Sequence, residues 1–291
     1  MMFSVIIPTH NRAPLLREAI ASALGQEPCG TEAEVIVVDD DSTDDTPTVV
    51  ASYPSVRYVR TRQGQAGGSR NAGVAAARGD WLAFLDDDDV WLPHKLRVCR
   101  RIMRAHPDAQ FIYSAATICD HELRPGATWT GPDLEGGRSP VDAFLDVVIS
   151  ASVVVMRREV FAATGGFDTS VPRAEDLDLW VRAAALGVRC VGTDEPLVLY
   201  RGRPRADGAQ AYRSYRDTMT VLRRFFGPSN RARPPWPRRQ RILLRYRGWY
   251  AYQLIVAARQ AEREGQGARA AHFRRAAFGI SPPHAIKSLL T

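Results

Sequence analysis

Four consecutive aspartates, Asp86 to Asp89, follow directly on the hydrophobic run "WLAFL" and form the strongest chemical feature of the chain. Two carboxylates about 5 Å apart repel by roughly 3 kcal/mol at an effective dielectric near 20. Such crowding persists where protons, basic side chains or a cation relieve it. Hard divalent ions such as Mg2+ and Mn2+ favour carboxylate oxygens and often share their coordination sphere with a substrate's phosphates. Asp86 and Asp88 have the spacing of a D-x-D metal pair. The competing reading is a solvated acidic turn that caps a helix starting near Leu92.

Three further segments carry chemistry. Asp39 to Asp41 end a second apolar run, "EVIVV". One of these carboxylates could accept hydrogen bonds from a nucleotide's base or ribose while Ser42 and Thr43 cap the next helix, or all three could simply solvate a strand end. The loop "GQAGGSRNAG", Gly64 to Gly73, offers glycines where a backbone could approach phosphate, followed by Arg70 at a helix start. A helix N-terminus with a guanidinium can hold a diphosphate. The pattern is neither GxxxxGK[ST] nor GxGxxG, which argues against a P-loop NTPase and a dinucleotide dehydrogenase. Glu175 and Asp176 stand at the front of an amphipathic stretch whose Leu177, Trp180, Val181 and Ala184 make one face. They either complement the helix dipole or place a carboxylate where it takes a proton from an attacking hydroxyl.

The elements that must position these residues are legible from periodicity. "FSVIIP" reads as a buried strand stopped by Pro8, and Leu15, Leu16, Ala19, Ile20, Ala23 and Leu24 then recur at helical spacing, with Pro14 in the first turn and Gly25 as the stop. "VRYVR" and "FIYSAAT" supply further strands. Strands alternating with helices imply a mostly parallel sheet covered on both faces. Ligands in such sheets bind beyond the carboxyl ends of the strands, which is where Pro8 to Asn11, Asp39 to Asp41 and Asp86 to Asp89 all fall.

Taken together, "SVIIPTHNR", "EVIVVDDDSTDDT", "GGSRNAG", "GDWLAFLDDDDVWLPHKL", "GGFD" and "EDLDLW" resemble family 2 of the inverting glycosyltransferases over residues 3 to about 200. The resemblance implies an α/β fold of the GT-A type, a mostly parallel Rossmann-like sheet flanked by helices, with a helical C-terminal extension. It implies a nucleotide-sugar-binding half over 1–105, an acceptor-binding half of the same domain over 106–205, and a basic helical region over 206–291. By the same resemblance, Pro8, Thr9 and His10 would border the nucleotide base and Asp40 would accept from it. Arg70 would approach the base or diphosphate, and Asp86 and Asp87 the donor. Asp88, with Asp86, would hold Mn2+ or Mg2+. Asp176 would be the general base and Glu175 would orient the acceptor or its loop. The implied partners are a nucleotide diphosphate sugar and a hydroxyl acceptor, whether glycan, lipid-linked or small molecule. Many members of that family carry a histidine after the strand that here reads "PLVLYRGRPRADG", but no histidine lies between His121 and His272. Arg201, Arg203 or Arg205 is the candidate phosphate contact in its place.

Composition bounds the rest. The 291 residues are 45% hydrophobic, enough for a packed core. Cys29, Cys99, Cys119 and Cys190 contain no CxxC pair, which suits a reducing cytoplasm. The longest apolar stretch, "VVISASVVVM", is too short to cross a bilayer. The net charge of +7 conceals an asymmetry: residues 1–200 carry 19 basic and 28 acidic side chains, residues 201–291 carry 20 and 4. The basic third admits three readings: helix packing by Ile242, Leu243, Tyr246, Trp249, Tyr250 and Leu254, then peripheral contact with an anionic membrane, and last nucleic acid, for which no motif accompanies the charge. "RARPPWP" reads as a linker. Other functional classes remain distinguishable. A sugar nucleotidyltransferase would show a basic Gly-rich loop at its first strand, a non-catalytic sugar-nucleotide binder would need no base, and a nucleic-acid module would be indifferent to the aspartates.

Overall fold

The structure, a computed structural model, describes residues 1–134, 138–202, 207–228 and 230–290. They form two compact units, Met1–Gly202 and Arg203–Thr291.

The first unit is a helix-flanked sheet. It begins with β1 (Met2–Thr9), α1 (Ala13–Leu24), β2 (Glu32–Asp40), α2 (Thr46–Ala51), β3 (Val56–Thr61), α3 (Ala66–Ala76) and β4 (Trp81–Phe84). There follow β5 (Val90–Trp91), α4 (Lys95–Ala105), β6 (Phe111–Cys119), β7 (Pro125–Trp129) and α5 (Pro140–Asp146). The unit closes with β8 (Val154–Arg157), α6 (Arg158–Thr164), α7 (Glu175–Ala185) and β9 (Cys190–Arg201). The strand order is β3-β2-β1-β4-β8-β6-β9-β5, with β7 paired to β6. β3, β2, β1 and β4 run parallel, as do β6 and β9, while β8 and β5 are antiparallel to their neighbours. This is the mixed, mostly parallel GT-A-type α/β fold that the resemblance implied.

β1 is buried from Phe3 to Thr9 and β2 from Val35 to Asp40, because helices cover both faces. That double cover explains why their sequences are continuous apolar runs. α3 lies close on β1 and β2 because Gly73 has no side chain: a Cβ there would stand 2.5 Å from Ile6 Cγ2 and 2.9 Å from Val38 Cγ2. The glycine therefore serves helix packing, whereas the sequence suggested close approach to phosphate.

The helix expected from Leu92 starts later. Val90 and Trp91 pair with Leu199 and Val198 of β9, and α4 begins only at Lys95. Pro93 disfavours helical dihedrals at the residue before it, which accounts for the delay.

In the second unit α8 (Gly208–Phe225), α9 (Trp236–Arg263), α10 (Gly267–Ile280) and α11 (Pro282–Leu290) surround a small core. Leu254, Ala258 and Ala261 of α9 meet Phe273 and Ala277 of α10. Ile242 and Tyr246 are buried as helix packing requires, but Trp249 is 56% exposed and stands off that face. "RARPPWP" joins α8 to α9 within this unit, so the proline cluster is no domain boundary. Among the described residues no helix is long and apolar enough to cross a membrane.

Candidate active site

The carboxyl ends of β1, β2 and β4 deliver the expected residues to one region. Pro8 and Thr9 end β1, and the Thr9 hydroxyl donates to Asp87 Oδ2 at 2.8 Å. His10 and Asn11 turn the chain away, with Asn11 left-handed at φ 53°, a conformation Asn tolerates because its short side chain hydrogen-bonds locally. His10 Nδ1 is 2.7 Å from the Asp40 carbonyl oxygen, and the Thr43 amide donates to Asn11 Oδ1 at 2.7 Å. These bonds lock the β1 and β2 loops together. The Ser42 hydroxyl accepts from the Asn11 amide instead of capping a helix; Asp44 takes the cap role, accepting from the amides of both Ala13 and Thr46.

The three aspartates ending β2 divide their work. Asp39 is fully buried and accepts from the Ser42 amide and the Tyr58 hydroxyl, a purely local role. Asp40 Oδ1 accepts from the Gln63 amide, which fixes the segment leading into α3. Asp41, at φ 61°, pairs with Arg60 and Arg62.

After β4 each aspartate of the run is held by a different partner. The Asp86 amide donates to Ser152 Oγ at 3.0 Å, and its Oδ1 pairs with Arg70 Nη2 at 2.6 Å. Asp87 Oδ1 and Asp88 Oδ2 both lie 2.9 Å from Arg12 Nη1. Asp89 accepts from the Ser152 hydroxyl at 2.5 Å and from the Arg201 amide at 3.0 Å. Burial raises the Asp87 carboxyl to about 6, although Arg12 opposes the shift. Burial also raises Asp89, reinforced by Asp86 and Asp88. One oxygen from each of Asp86, Asp88 and Asp89 falls within 4.8 Å of the others. Three hard carboxylate donors at that separation fit Mg2+ or Mn2+.

Arg70 joins this cluster to the opposite wall. Its side chain is 4% exposed, with Nη1 3.2 Å from Glu175 Oε1 and 3.6 Å from Asp176 Oδ1. Burial would lower its pKa, but Asp86, Asp176 and Glu175 more than offset that and raise it. Arg70 sits enclosed by three carboxylates and over the Phe167 ring at 5.2 Å.

Glu175 and Asp176 open α7, where negative charge favours the helix dipole. Asp176 Oδ2 accepts from the Ala151 amide at 3.1 Å, and Oδ1 has no hydrogen-bond partner among the described residues. Burial pushes its carboxyl up to about 7; Arg70 lowers it, and Glu175 and Asp86 raise it. Burial likewise raises Glu175. The segment beneath is pinned by two indoles: Trp180 Nε1 donates to the Ile149 carbonyl and Trp91 Nε1 to that of Ser152, each at 3.0 Å.

Arg201 does not face an open phosphate position. It is 5% exposed and donates from Nη1 to the Asp88 carbonyl, from Nη2 to Glu18 Oε2 and from Nε to the His121 carbonyl. Arg203 and Arg205 lie outside the described residues. The sequence pattern does not single out Arg12 or Ser152, and it signals Asp89 only as the last of the four-aspartate run. Arg12 carries a usable signal, a cation at one strand end in a sheet whose other strand ends carry seven aspartates that need neutralising. The serines are inconspicuous inside "VVISASVVVM".

Residues 4–165 match the sequence profile described as "Glycosyl transferase family 2". The chain belongs to that family. Among relatives of this family 2 chain, an uncharacterized glycosyltransferase of Haemophilus influenzae is 31% identical over 185 residues, covering 62% of this chain and 61% of the relative. The succinoglycan biosynthesis protein ExoO of Rhizobium meliloti is 47% identical over 103 residues, 34% of this chain and 28% of that protein. The match thus spans less than two thirds of either relative. The fold is shared with the mannosyltransferase PcManGT of Pyrobaculum calidifontis, solved with GDP-Man and Mn2+, at a TM-score of 0.64 and 21% identity over 99% of this chain and 83% of that one. S. aureus TarS also gives 0.64, at 18% identity over 98% of this chain and 54% of TarS.

Proposed function

We propose that the family 2 chain is an inverting, metal-assisted glycosyltransferase that moves a sugar from a nucleotide diphosphate onto a hydroxyl of a glycan, a lipid-linked acceptor or a small molecule. The observation that carries this reading is Asp176 Oδ1: an oxygen that accepts no hydrogen bond among the described residues, on a carboxyl raised to about 7, and ion-paired through the single guanidinium of Arg70 to Asp86 of the acidic cluster. A base poised near neutrality beside a cation-binding cluster suits attack by a hydroxyl on a donor whose leaving group is anionic.

In this reading Asp88 and Asp86 hold Mg2+ or Mn2+, and Asp89, fixed by Ser152 and Arg201, completes the donor set. The ion supplies positive charge that stabilises the departing diphosphate. Pro8, Thr9, His10 and Asp40 border the nucleotide, and Asp87, fixed by Thr9 and Arg12, faces the donor from the same loop. Asp176 Oδ1 takes the acceptor's hydroxyl proton as that oxygen bonds to the anomeric carbon. The bond from this carbon to the diphosphate oxygen breaks with its electron pair leaving on the diphosphate. Attack from the face opposite the leaving group inverts the configuration and needs no covalent sugar intermediate. Arg70 and Glu175 act as positioning residues, because Arg70 is enclosed by carboxylates.

The solved neighbours' ligands, UDP-GlcNAc for TarS and GDP-Man with Mn2+ for PcManGT, support a nucleotide-sugar donor and suggest the first panel to try. Donor binding and transfer measured across nucleotide sugars with Mn2+ or Mg2+ test the reading. Asp88→Ala is expected to weaken metal-dependent donor binding, and Asp176→Asn to keep donor binding while losing transfer. Transfer by Asp176→Asn at the wild-type rate would remove the base assignment.

A further inference from the structure

We infer that one face of α9 is a docking surface for an anionic lipid bilayer. Arg238, Arg241, Arg245, Trp249 and Tyr252 recur three or four residues apart, so they share a single stripe of the helix. Trp249 is 56% exposed and Tyr252 42%, with ring centroids 6.4 Å apart, and Leu244 on the flank of the stripe is 53% exposed. Arg241 and Arg245 are exposed as well. α9 turns Leu254, Ala258 and Ala261, on the other side of the helix, to the core it shares with α10, while on the stripe Arg245 also lies over the ring of Tyr246. No acidic residue interrupts α9 before Glu262.

The combination selects its occupant. Arginines in a row, with no acid among them, complement a negatively charged surface. Two neighbouring aromatics and a leucine left in water are costly there, yet amphipathic rings are at home at the headgroup level of a bilayer. A nucleic-acid strand would use the charge but gives the leucine nothing to enter. Because no described helix is long and apolar enough to span a membrane, the helix lies along the interface. The inference is independent of the transfer chemistry, since it concerns a different unit and a different class of ligand.

The test is co-sedimentation of the full chain with vesicles of phosphatidylcholine alone or mixed with phosphatidylglycerol, over a salt series. The wild type is expected to bind the anionic vesicles, less so as salt rises. Arg241→Gln with Arg245→Gln should weaken binding by roughly fivefold per arginine. Trp249→Ser with Tyr252→Ser should also weaken it, with folding checked by circular dichroism. Arg213→Gln with Arg216→Gln, an equal charge loss on α8, should weaken it much less. The inference is overturned if the wild type ignores phosphatidylglycerol or binds DNA but no vesicle. It is also overturned if the α8 pair matters as much as the α9 pair, or if the aromatic pair matters not at all.

Discussion

Arg70 Nη2 stands 2.6 Å from Asp86 Oδ1, and the bond ties the acidic run after β4 to the wall that carries α7. The other nitrogen of the same guanidinium reaches Glu175 and Asp176, so one side chain sets the separation between the acidic cluster and the proposed base. Arg70→Ala would leave three partly buried carboxylates without their counter-charge. Breaking a buried ion pair from one side costs about 3–5 kcal/mol. We expect a lower Tm and loss of transfer in Arg70→Ala. Arg70→Lys should recover much of the stability and little of the activity, because an ammonium cannot reproduce the fork that spans both walls. Thermal unfolding and kcat for the two variants check this, and full activity in Arg70→Lys would show that the spacing is set by other contacts.

The pH dependence follows from Asp176. As a base it must be deprotonated, and burial raises its carboxyl from 3.8 to about 7. Transfer should therefore fall as pH drops below about 7 and level off above it. Asp176→Asn is expected to lower kcat by about 10²–10⁴ on the plateau above pH 7, the usual worth of a positioned base. The stability linkage has the matching sign: the folded protein binds this proton more tightly than the unfolded chain, so the contribution is largest below 3.8 and is lost as pH rises toward 7. A kcat/KM profile with no inflection near neutrality would argue for a different base.

Arg12 already pairs with Asp87 and Asp88, at 2.9 Å from each, where a cation would compete with it. Arg12→Ala removes that competitor and leaves the aspartates more anionic. Mn2+ binding, followed by electron paramagnetic resonance of the free ion without donor, should tighten by roughly tenfold, a change of about 1.4 kcal/mol. The variant should also unfold at lower temperature without metal and regain stability on adding it. Unchanged affinity would mean that Arg12 stays on Asp87 when the ion is bound.

Much of the first unit was legible because its strands are buried on both faces and end where their chemistry begins: "SVIIPT", "EVIVVDD" and "WLAFLDDDD" each carry strand and site in one run. Placing Asp40, Asp88 and Asp176 at two strand ends and a helix start required only the pattern of strands and helices. Arg70 illustrates what was hidden. Its neighbours in sequence suggest phosphate, yet its partners Glu175 and Asp176 are more than a hundred residues away, and only the fold brings three acids around it. Ser152 is similar, because nothing in an apolar run announces that one hydroxyl will meet both Asp86 and Asp89. In α9 the spacing found the buried positions Ile242, Tyr246 and Leu254, but Trp249 fell outside them, since a 28-residue helix has more aromatic residues than one face can bury.

Lys95 gives a test of the fold that is separate from the site. It is fully buried at the start of α4, its Nζ has no hydrogen-bond partner among the described residues, and the ring of Trp91 lies 5.1 Å away. Burial lowers its pKa from 10.5 to about 8. Keeping the ammonium charged at neutral pH then costs on the order of 3 kcal/mol. Between pH 8 and 10.5 the unfolded chain holds this proton and the folded protein does not, so stability should rise with pH across that window. Lys95→Met keeps the length of the side chain and removes the charge. It is expected to stabilise the protein by about 1–3 kcal/mol at pH 7 and to abolish the rise between pH 8 and 10.5. Urea unfolding of wild type and variant at the two ends of the window measures both effects, and a less stable Lys95→Met would mean that the ammonium is compensated in the folded state.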